Sequence, residues 1–131
     1  MSEHNSSDPR VKLSFDGYVA TLTLARAEKL NALDMPMILA LQQAALDIEA
    51  NTEIRVAILT GEGKAFCAGG DIAAWGGLPP LDMWRTWTRA GHRAFDALAR
   101  LRVPLIAVLS GHAFGGGLEL AMGCDARVGW A

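Results

Sequence analysis

The residues best suited to chemistry lie in one short stretch, residues 110–120, where three consecutive glycines precede a glutamate. The apolar run before it, residues 104–109, predicts a buried strand. Helix-forming residues follow the glycines, so the first N–H groups of the new helix lack intrahelical partners and favour an anion or a developing oxyanion. Glu119 comes three residues after Gly116, on the same helix face, and adds a carboxylate beside these donors.

A purely structural interpretation of this stretch stands beside the chemical one. Glycine-rich turns between a strand and a helix also occur simply to close a tight turn, because glycine adopts backbone conformations that other residues avoid. A glutamate in a first helical turn commonly compensates the helix dipole without acting as a base. The stretch alone does not decide between the two interpretations.

A second stretch, residues 61–72, repeats the same design. An apolar strand pattern over residues 55–60 leads into a loop containing Gly69 and Gly70, and a short helix is expected from about Ile72. Two such loops suggest that two backbone N–H groups meet across one pocket. Acyl and thioester chemistry uses such a pair to hold an oxyanion, and losing one donor costs about 10²–10³ in rate.

Composition excludes several classes of protein. The chain has 131 residues, 51% of them hydrophobic, which suits one globular domain. Its net charge of −2 and the lack of a basic stripe argue against binding to nucleic acid. Cys67 and Cys124 make no disulfide framework, and neither has a partner at metal-ligand spacing, so no metal site is expected.

The first residues and the apolar runs bear on where the protein resides. No apolar run is long enough to span a bilayer, and the polar N-terminus does not have the pattern of a secretory signal. We therefore expect a cytoplasmic protein with no membrane association, and a disordered polar tail over residues 1–10.

The remaining sequence alternates strand and helix patterns. Alternating runs on either side of Asp16-Gly17 predict a hairpin, and Asp34 is a candidate cap for a helix over residues 35–50. A longer helical pattern places Trp84 and Trp87 on one side, where core or interface roles are favoured over a substrate cage. With strands also expected at residues 55–60, 104–109 and from 126, the pattern indicates an α/β fold with a largely parallel sheet over residues 11–131.

Two motifs together carry a family resemblance. Residues 63–72, GKAFCAGGDI, and residues 111–121, GHAFGGGLELA, closely resemble the enoyl-CoA hydratase/isomerase (crotonase) family, and residues 31–33 and 124–125 also match its pattern. The resemblance covers about residues 11–131. It implies a spiral of ββα turns that binds an acyl-CoA, in an incomplete core without the C-terminal helices that close the pocket and build homo-oligomers, typically trimers, in that family.

The resemblance also implies roles for particular residues. The N–H groups of Gly70 and Gly116 would hold the thioester oxygen, and Glu119 matches the first of two glutamates that hydratases use to add water to a 2-enoyl-CoA. The second glutamate would fall beyond residue 131. Coenzyme A would enter as part of the substrate, with no separate cofactor. The residues expected along the CoA path are Ala68, Gly70, Asp71, Ile72 and Gly116.

Several alternatives accompany this interpretation. Double-bond isomerisation on the same scaffold, using a carboxylate beyond residue 131, is the nearest, and a non-catalytic acyl-CoA-binding fragment is another. Arg26 and Lys29 are expected either to meet nucleotide phosphates or to lie in a solvated loop, and His92 is expected to be exposed. A dinucleotide-binding domain is disfavoured by the glycine spacing. A hydrolase using Ser110 and His112 is disfavoured because the two residues form no oriented triad.

Overall fold

A six-stranded sheet is the centre of the fold. The computed structural model describes residues 2–4 and 8–129, with side chains from residue 8 onwards. In spatial order the strands are β1 (Ser2–His4), β2 (Val11–Asp16), β3 (Val19–Leu24), β4 (Val56–Gly61), β6 (Leu105–Leu109) and β8 (Ala126–Gly129), while β5 (Ala65–Cys67) and β7 (His112–Ala113) form a separate parallel pair. The first three strands are antiparallel, and β3, β4, β6 and β8 are parallel. The largely parallel sheet predicted from the sequence is therefore confirmed.

The helices follow pairs of strands. They are α1 (Met35–Ala50), α2 (Ile72–Trp75), α3 (Pro80–Asp82), a π-helical segment (Met83–Thr88), α4 (Arg89–Ala99) and α5 (Gly116–Met122), and a 3₁₀ turn covers Ala27–Lys29. The chain thus repeats a strand–strand–helix unit three times: β2-β3-α1, β4-β5 with α2 to α4, and β6-β7-α5. This arrangement agrees with the predicted series of ββα turns.

The helix α1 shows how local sequence sets an element. Asp34 caps its N-terminus, since the carboxylate accepts a hydrogen bond from the Met37 N–H at 3.2 Å. Pro36 falls in the first turn, where its missing N–H costs nothing. Ile38, Leu41, Ala45 and Ile48 are all buried, and they pack with the apolar face of the sheet into one core, as their spacing predicts.

The N-terminal residues differ from the expected disordered tail. Ser2–His4 pair in antiparallel register with Leu13 to Phe15, and so add an edge strand to the sheet. Asp8 is buried and accepts hydrogen bonds from the backbone and guanidinium of Arg10. The polar composition of this segment gave no sign of the edge strand, because that pairing depends on the neighbouring hairpin. Residues 1 and 5–7 lie outside the described residues.

The long helical pattern after Pro80 is buried only in part. Ala94 and Leu98 are buried as predicted, whereas Trp84 is 59% exposed, which excludes the core role and leaves the expected interface role as a prediction. The π-helical turns of Met83–Thr88 change the angular spacing of side chains from that of an α-helix, and so move Trp84 off the buried side. Trp87 does pack against the core.

Candidate active site

The two glycine loops lie side by side. Strand β5, in the first loop, pairs with strand β7, in the second. A hydrogen bond of 3.1 Å from the Phe114 N–H to the Cys67 carbonyl extends this contact. A β-carbon at Gly116 would lie 3.8 Å from the Gly70 nitrogen. Since a β-carbon is about 2.5 Å from its own amide nitrogen, the nitrogens of Gly70 and Gly116 are no more than about 6.3 Å apart. The structure therefore brings these two predicted site residues together.

The amides of Gly70 and Gly116 differ from those beside them. The Asp71 N–H donates to Leu33 and the Gly117 N–H to Phe114, each at 2.8 Å. For Gly70 and Gly116 the described part of the chain supplies no acceptor. Gly116 is the first residue of α5, where an N–H has no intrahelical partner. Two donors that lack a partner within the described residues thus border one gap.

The other glycines of the second loop have packing roles. A β-carbon at Gly117 would lie 2.1 Å from the Cys67 carbonyl oxygen, and one at Gly111 would lie 1.9 Å from that of Lys64. Gly115 has φ of +50°, a conformation that side chains disfavour. Of the three consecutive glycines, only Gly116 has its open side turned to the gap, with Gly69 and Gly70 as its nearest neighbours.

A cavity of about 320 Å³ opens beside this gap. Gly70, Gly116 and Glu119 all line it, so three of the predicted site residues share one space. The other lining residues are largely apolar and aromatic: Leu33, Ile38, Trp75, Met83, Trp87, Thr88, Gly91, His92 and Phe95. An apolar cavity with a few converging polar groups is typical of a small-molecule site.

Glu119 lies in the first turn of α5, and its side chain faces the cavity. It is the one carboxylic acid among the lining residues. No hydrogen bond or ion pair engages its carboxylate within the described ranges. Glu119, His92 and Phe95 also line a second cavity of about 540 Å³ between α4 and α5. The carboxylate is therefore placed to accept a proton from a bound molecule or from water.

The expected CoA-path residues lie outside the cavity wall, apart from the two glycines. Ala68 is partly buried, and its N–H donates to the Leu30 carbonyl at 2.9 Å. Ile72 is 76% exposed at the start of α2. Asp71 caps α2 by accepting from the Ala74 N–H, so its carboxylate has a structural partner.

A chain of alternating charges fixes the end of β3 and the start of two helices. The Arg26 Nη1 lies 2.9 Å from Asp71 and 3.6 Å from Asp34, and Arg10 binds both Asp34 and Asp8. Arg26 is only 12% exposed in its side chain. Neither interpretation offered from the sequence, a phosphate ligand or a solvated loop residue, describes Arg26.

These contacts shift the pKa values of two carboxyl groups. The side-chain hydrogen bond from Arg10 is the main reason that the pKa of Asp8 is lowered. At Asp71, burial raises the pKa, but the hydrogen bond and charge of Arg26 and the helix N–H groups outweigh it, so the pKa is lowered overall. Both groups are held in the charged form.

Asn31 ties the first glycine loop to the sheet. It is fully buried with φ of +59°, a conformation that asparagine tolerates better than most residues. Its Oδ1 accepts from the Arg26 N–H at 2.8 Å, and its Nδ2 donates to the carbonyls of Glu62, Ala65 and Phe66. The sequence singled out this residue only through the family pattern.

The aromatic wall of the cavity is the part that the sequence did not predict. Trp75 and Trp87 stack with ring centroids 5.2 Å apart and planes 18° from parallel. Trp75 is the last residue of a four-residue helix and Trp87 lies in the π-helical segment, so no local periodicity links them. His92 is exposed as expected, yet it lines both cavities. The signal in the sequence that could have predicted this wall was the presence of tryptophans close to a glycine loop.

Other candidate chemistries have no support in the structure. Ser110 donates its hydroxyl hydrogen bond to the Gly61 carbonyl at 2.8 Å, while His112 stacks on Phe114. Within residues 2–4 and 8–129, no three His, Cys, Asp or Glu side chains cluster as metal ligands would. No helix in this part of the chain is both long and apolar enough to cross a bilayer.

Known proteins resemble this chain in sequence and in architecture. The model of the enoyl-CoA hydratase/isomerase family matches residues 14–129. A short-chain-enoyl-CoA hydratase of Clostridium acetobutylicum is 37% identical over 119 residues, which cover 90% of this chain and 45% of the relative. An (E)-benzylidenesuccinyl-CoA hydratase of Thauera aromatica is 38% identical over 120 residues, 90% of this chain and 46% of the relative.

Solved structures agree with the sequence matches. The crystal structure of an enoyl-CoA hydratase/carnithine racemase from Magnetospirillum magneticum superposes with a TM-score of 0.88 at 36% identity, covering 95% of this chain and 47% of that one. An enoyl-CoA hydratase from Bacillus anthracis gives a TM-score of 0.87 at 30% identity, over 92% of this chain and 47% of that one. The expected crotonase fold is confirmed, and the chain spans about half the length of these relatives.

Proposed function

We propose, from the premise that the chain belongs to the enoyl-CoA hydratase/isomerase family, that it adds water across the double bond of a 2-enoyl-CoA. The proposal rests on one observation: two backbone N–H groups and one carboxylate, from Gly70, Gly116 and Glu119, line the same apolar cavity and have no partner among the described residues. The relatives named as hydratases support the same reaction class.

The steps follow from this placement. The thioester oxygen accepts hydrogen bonds from the Gly70 and Gly116 N–H groups, which polarises the conjugated double bond. Glu119 takes a proton from a water molecule as the water oxygen bonds to the β-carbon, and the electron pair of the double bond moves onto the thioester as an enolate. The two N–H groups stabilise that oxyanion more strongly than the neutral carbonyl, and so lower the barrier. Protonation of the α-carbon, for which protonated Glu119 is one donor, completes the addition.

Coenzyme A belongs to the substrate in this proposal, and no separate cofactor takes part. The acyl group occupies the aromatic-walled cavity. The pantetheine arm leaves past Ala68 and along the exposed Ile72 at the start of α2. We also propose that the protein is cytoplasmic and forms homo-oligomers, a trimer being the arrangement the family leads us to expect. The exposed apolar side chains of Leu118 and Met122 on α5 support association with further protein surface.

Double-bond isomerisation is the second candidate. Glu119 is the one carboxylate among the residues lining the cavity, and one base suffices to take a proton from the α-carbon of a 3-enoyl-CoA and return it to the γ-carbon. The same pair of N–H groups would stabilise the dienolate formed on the way. The two reactions differ in mass balance, because hydration adds one water and isomerisation adds nothing.

The deciding experiment is incubation with crotonyl-CoA, following loss of the conjugated enoyl-thioester absorbance and weighing the product by mass spectrometry. We expect a gain of one water. A parallel incubation with 3-enoyl-CoA that yields 2-enoyl-CoA of unchanged mass would establish isomerisation instead. Binding of acyl-CoA without turnover of either substrate would overturn both and leave a binding module.

Variants identify the base. Glu119→Gln removes the proton acceptor while keeping the shape of the side chain, and we expect turnover to fall by at least about 10²-fold. Glu53→Gln, an exposed residue outside both cavities, is the matched control and should be fully active. Full activity of Glu119→Gln would remove Glu119 from the mechanism.

A further inference from the structure

The indole N–H of Trp75 is a buried donor without a partner. Its Nε1 is enclosed by protein, and none of the described residues offers it an acceptor. Buried indole N–H groups usually find an acceptor, because leaving one unpaired costs free energy. Trp75 also lines the cavity beside Gly70, so a molecule bound there can supply the missing acceptor.

The position of this donor narrows the choice of acceptor. A β-carbon at Gly70 would lie 2.9 Å from Trp75 Nε1. Since that β-carbon would be about 2.5 Å from the Gly70 nitrogen, the two nitrogens are no more than about 5.4 Å apart. Two donors that each lie about 2.9 Å from one shared oxygen are at most about 5.8 Å apart. The spacing of the two nitrogens is therefore compatible with one shared oxygen.

The ring is held at this position from two sides. Trp87 stacks against it at 5.2 Å, and Trp75 ends the short helix whose cap, Asp71, is paired with Arg26. Filling the space beside Gly70 requires only an aromatic ring, which phenylalanine would provide without an unpaired N–H. Packing therefore accounts for the ring but not for the donor.

We propose that Trp75 is a third oxyanion donor, its indole N–H binding the same thioester oxygen as the amides of Gly70 and Gly116. This inference rests on the proposed acyl-CoA chemistry and adds a side chain to a site otherwise made of backbone. A hydrogen bond to an oxygen that gains negative charge strengthens during the reaction. Trp75 therefore acts mainly on kcat and much less on KM.

The test is Trp75→Phe, which keeps the stacked ring and removes only the N–H. We expect kcat for crotonyl-CoA to fall about 10²-fold with KM nearly unchanged, at the lower end of the loss seen for one oxyanion donor. Trp84→Phe is the matched control, because Trp84 is exposed and does not line the cavity, and it should keep full activity. Thermal unfolding of both variants checks that the fold is retained.

A second readout does not depend on turnover. The absorbance of cinnamoyl-CoA, a conjugated 2-enoyl thioester, moves to longer wavelength when donors polarise its carbonyl. We expect a red shift on binding to the unaltered protein and to Trp84→Phe, and a clearly smaller shift with Trp75→Phe. Trp87→Phe, which keeps the donor and a stacked ring, should retain most of the shift.

The possible outcomes distinguish a failure of this inference from a failure of the proposed function. If the unaltered protein neither binds acyl-CoA nor turns it over, the proposed function fails and the third donor fails with it. If the unaltered protein is active and Trp75→Phe keeps both kcat and the full red shift, the third donor is refuted while the proposed function stands.

Discussion

The Nη1 atom of Arg26 lies 2.9 Å from a carboxylate oxygen of Asp71, and this contact joins the end of β3 to the cap of α2. Both side chains are at least 85% shielded from solvent. The pair therefore sets where α2 begins, and with it the position of Trp75 three residues after the start of that helix.

Replacing Arg26 by alanine should destabilise the protein. The change leaves Asp71 and Asp34 in a shielded site without the cation between them, and we expect a loss of about 2–4 kcal/mol in the free energy of unfolding, somewhat less than for a fully buried pair. Urea denaturation measures it. Arg100→Ala, which removes an exposed pair with Asp96, is the matched control and should cost under about 1 kcal/mol. Equal losses in the two variants would contradict the structural role of Arg26.

The stability of the protein should fall in acid. The pKa values of Asp8 and Asp71 are lowered from their ordinary value of 3.8, so their stabilising contribution is complete above that pH and is lost as pH falls through the folded-state values. Free energies of unfolding measured from pH 6 to pH 2 should show this decline. The difference between the unaltered chain and Arg26→Ala should shrink over the same window, and a constant difference would refute the assignment to Asp71.

The two cysteines should resist alkylation in the folded protein. Burial raises the pKa of Cys67 and of Cys124 to about 11, against weaker opposing effects from the Gly69 N–H and Arg127 respectively. At pH 8 only about 0.1% of each thiol is then ionised, and both side chains are enclosed. Iodoacetamide should label them slowly in buffer and rapidly in urea, as read by mass spectrometry. Rapid labelling of the folded protein would contradict the described packing.

Gly117→Ala should unfold the second glycine loop. Its β-carbon would lie 2.1 Å from a backbone oxygen of Cys67, and neither backbone segment can move without breaking the β5–β7 contact. We expect a loss of more than about 3 kcal/mol, as for severe overpacking. Gly77→Ala is the matched control, since a β-carbon there meets no atom within 4 Å, and it should be neutral. A stable Gly117→Ala protein would show that the loops pack less closely than described.

Gly116→Ala should separate stability from activity. The β-carbon would make only ordinary contacts, the nearest at 3.8 Å, so the free energy of unfolding should change by less than about 1 kcal/mol. The methyl group would nevertheless enter the gap between Gly70 and Gly116, where the thioester oxygen is proposed to bind. Turnover of crotonyl-CoA should therefore fall at least about tenfold. Unchanged turnover would place the substrate oxygen elsewhere.

Local patterns predicted the elements because each pattern has a local cause. The Asp16-Gly17 turn, the Asp34 cap and the apolar spacing along α1 depend on neighbours a few residues away. The meeting of Gly70 with Gly116 was predictable for a different reason: both belong to a repeated strand–loop–helix unit on adjacent parallel strands.

The parts that escaped prediction depend on distant contacts. Arg26 meets Asp71 across 45 positions of sequence, and Trp75 meets Trp87 through a segment with π-helical turns. Nothing in the composition of residues 2–4 reveals that they extend the sheet, because an edge strand is defined by its neighbour. Side chains whose partners lie in other units are visible only in the folded chain.

Asn31 has a consequence for how the protein opens. One buried amide holds the backbone at Arg26, Glu62, Ala65 and Phe66, so displacing the Asn31 side chain would release hydrogen bonds at all four positions at once. The end of β3 and the first glycine loop should then open together, as one local unit. The part of the first glycine loop that leads to Gly70 is thus tied to the end of β3 by a single side chain.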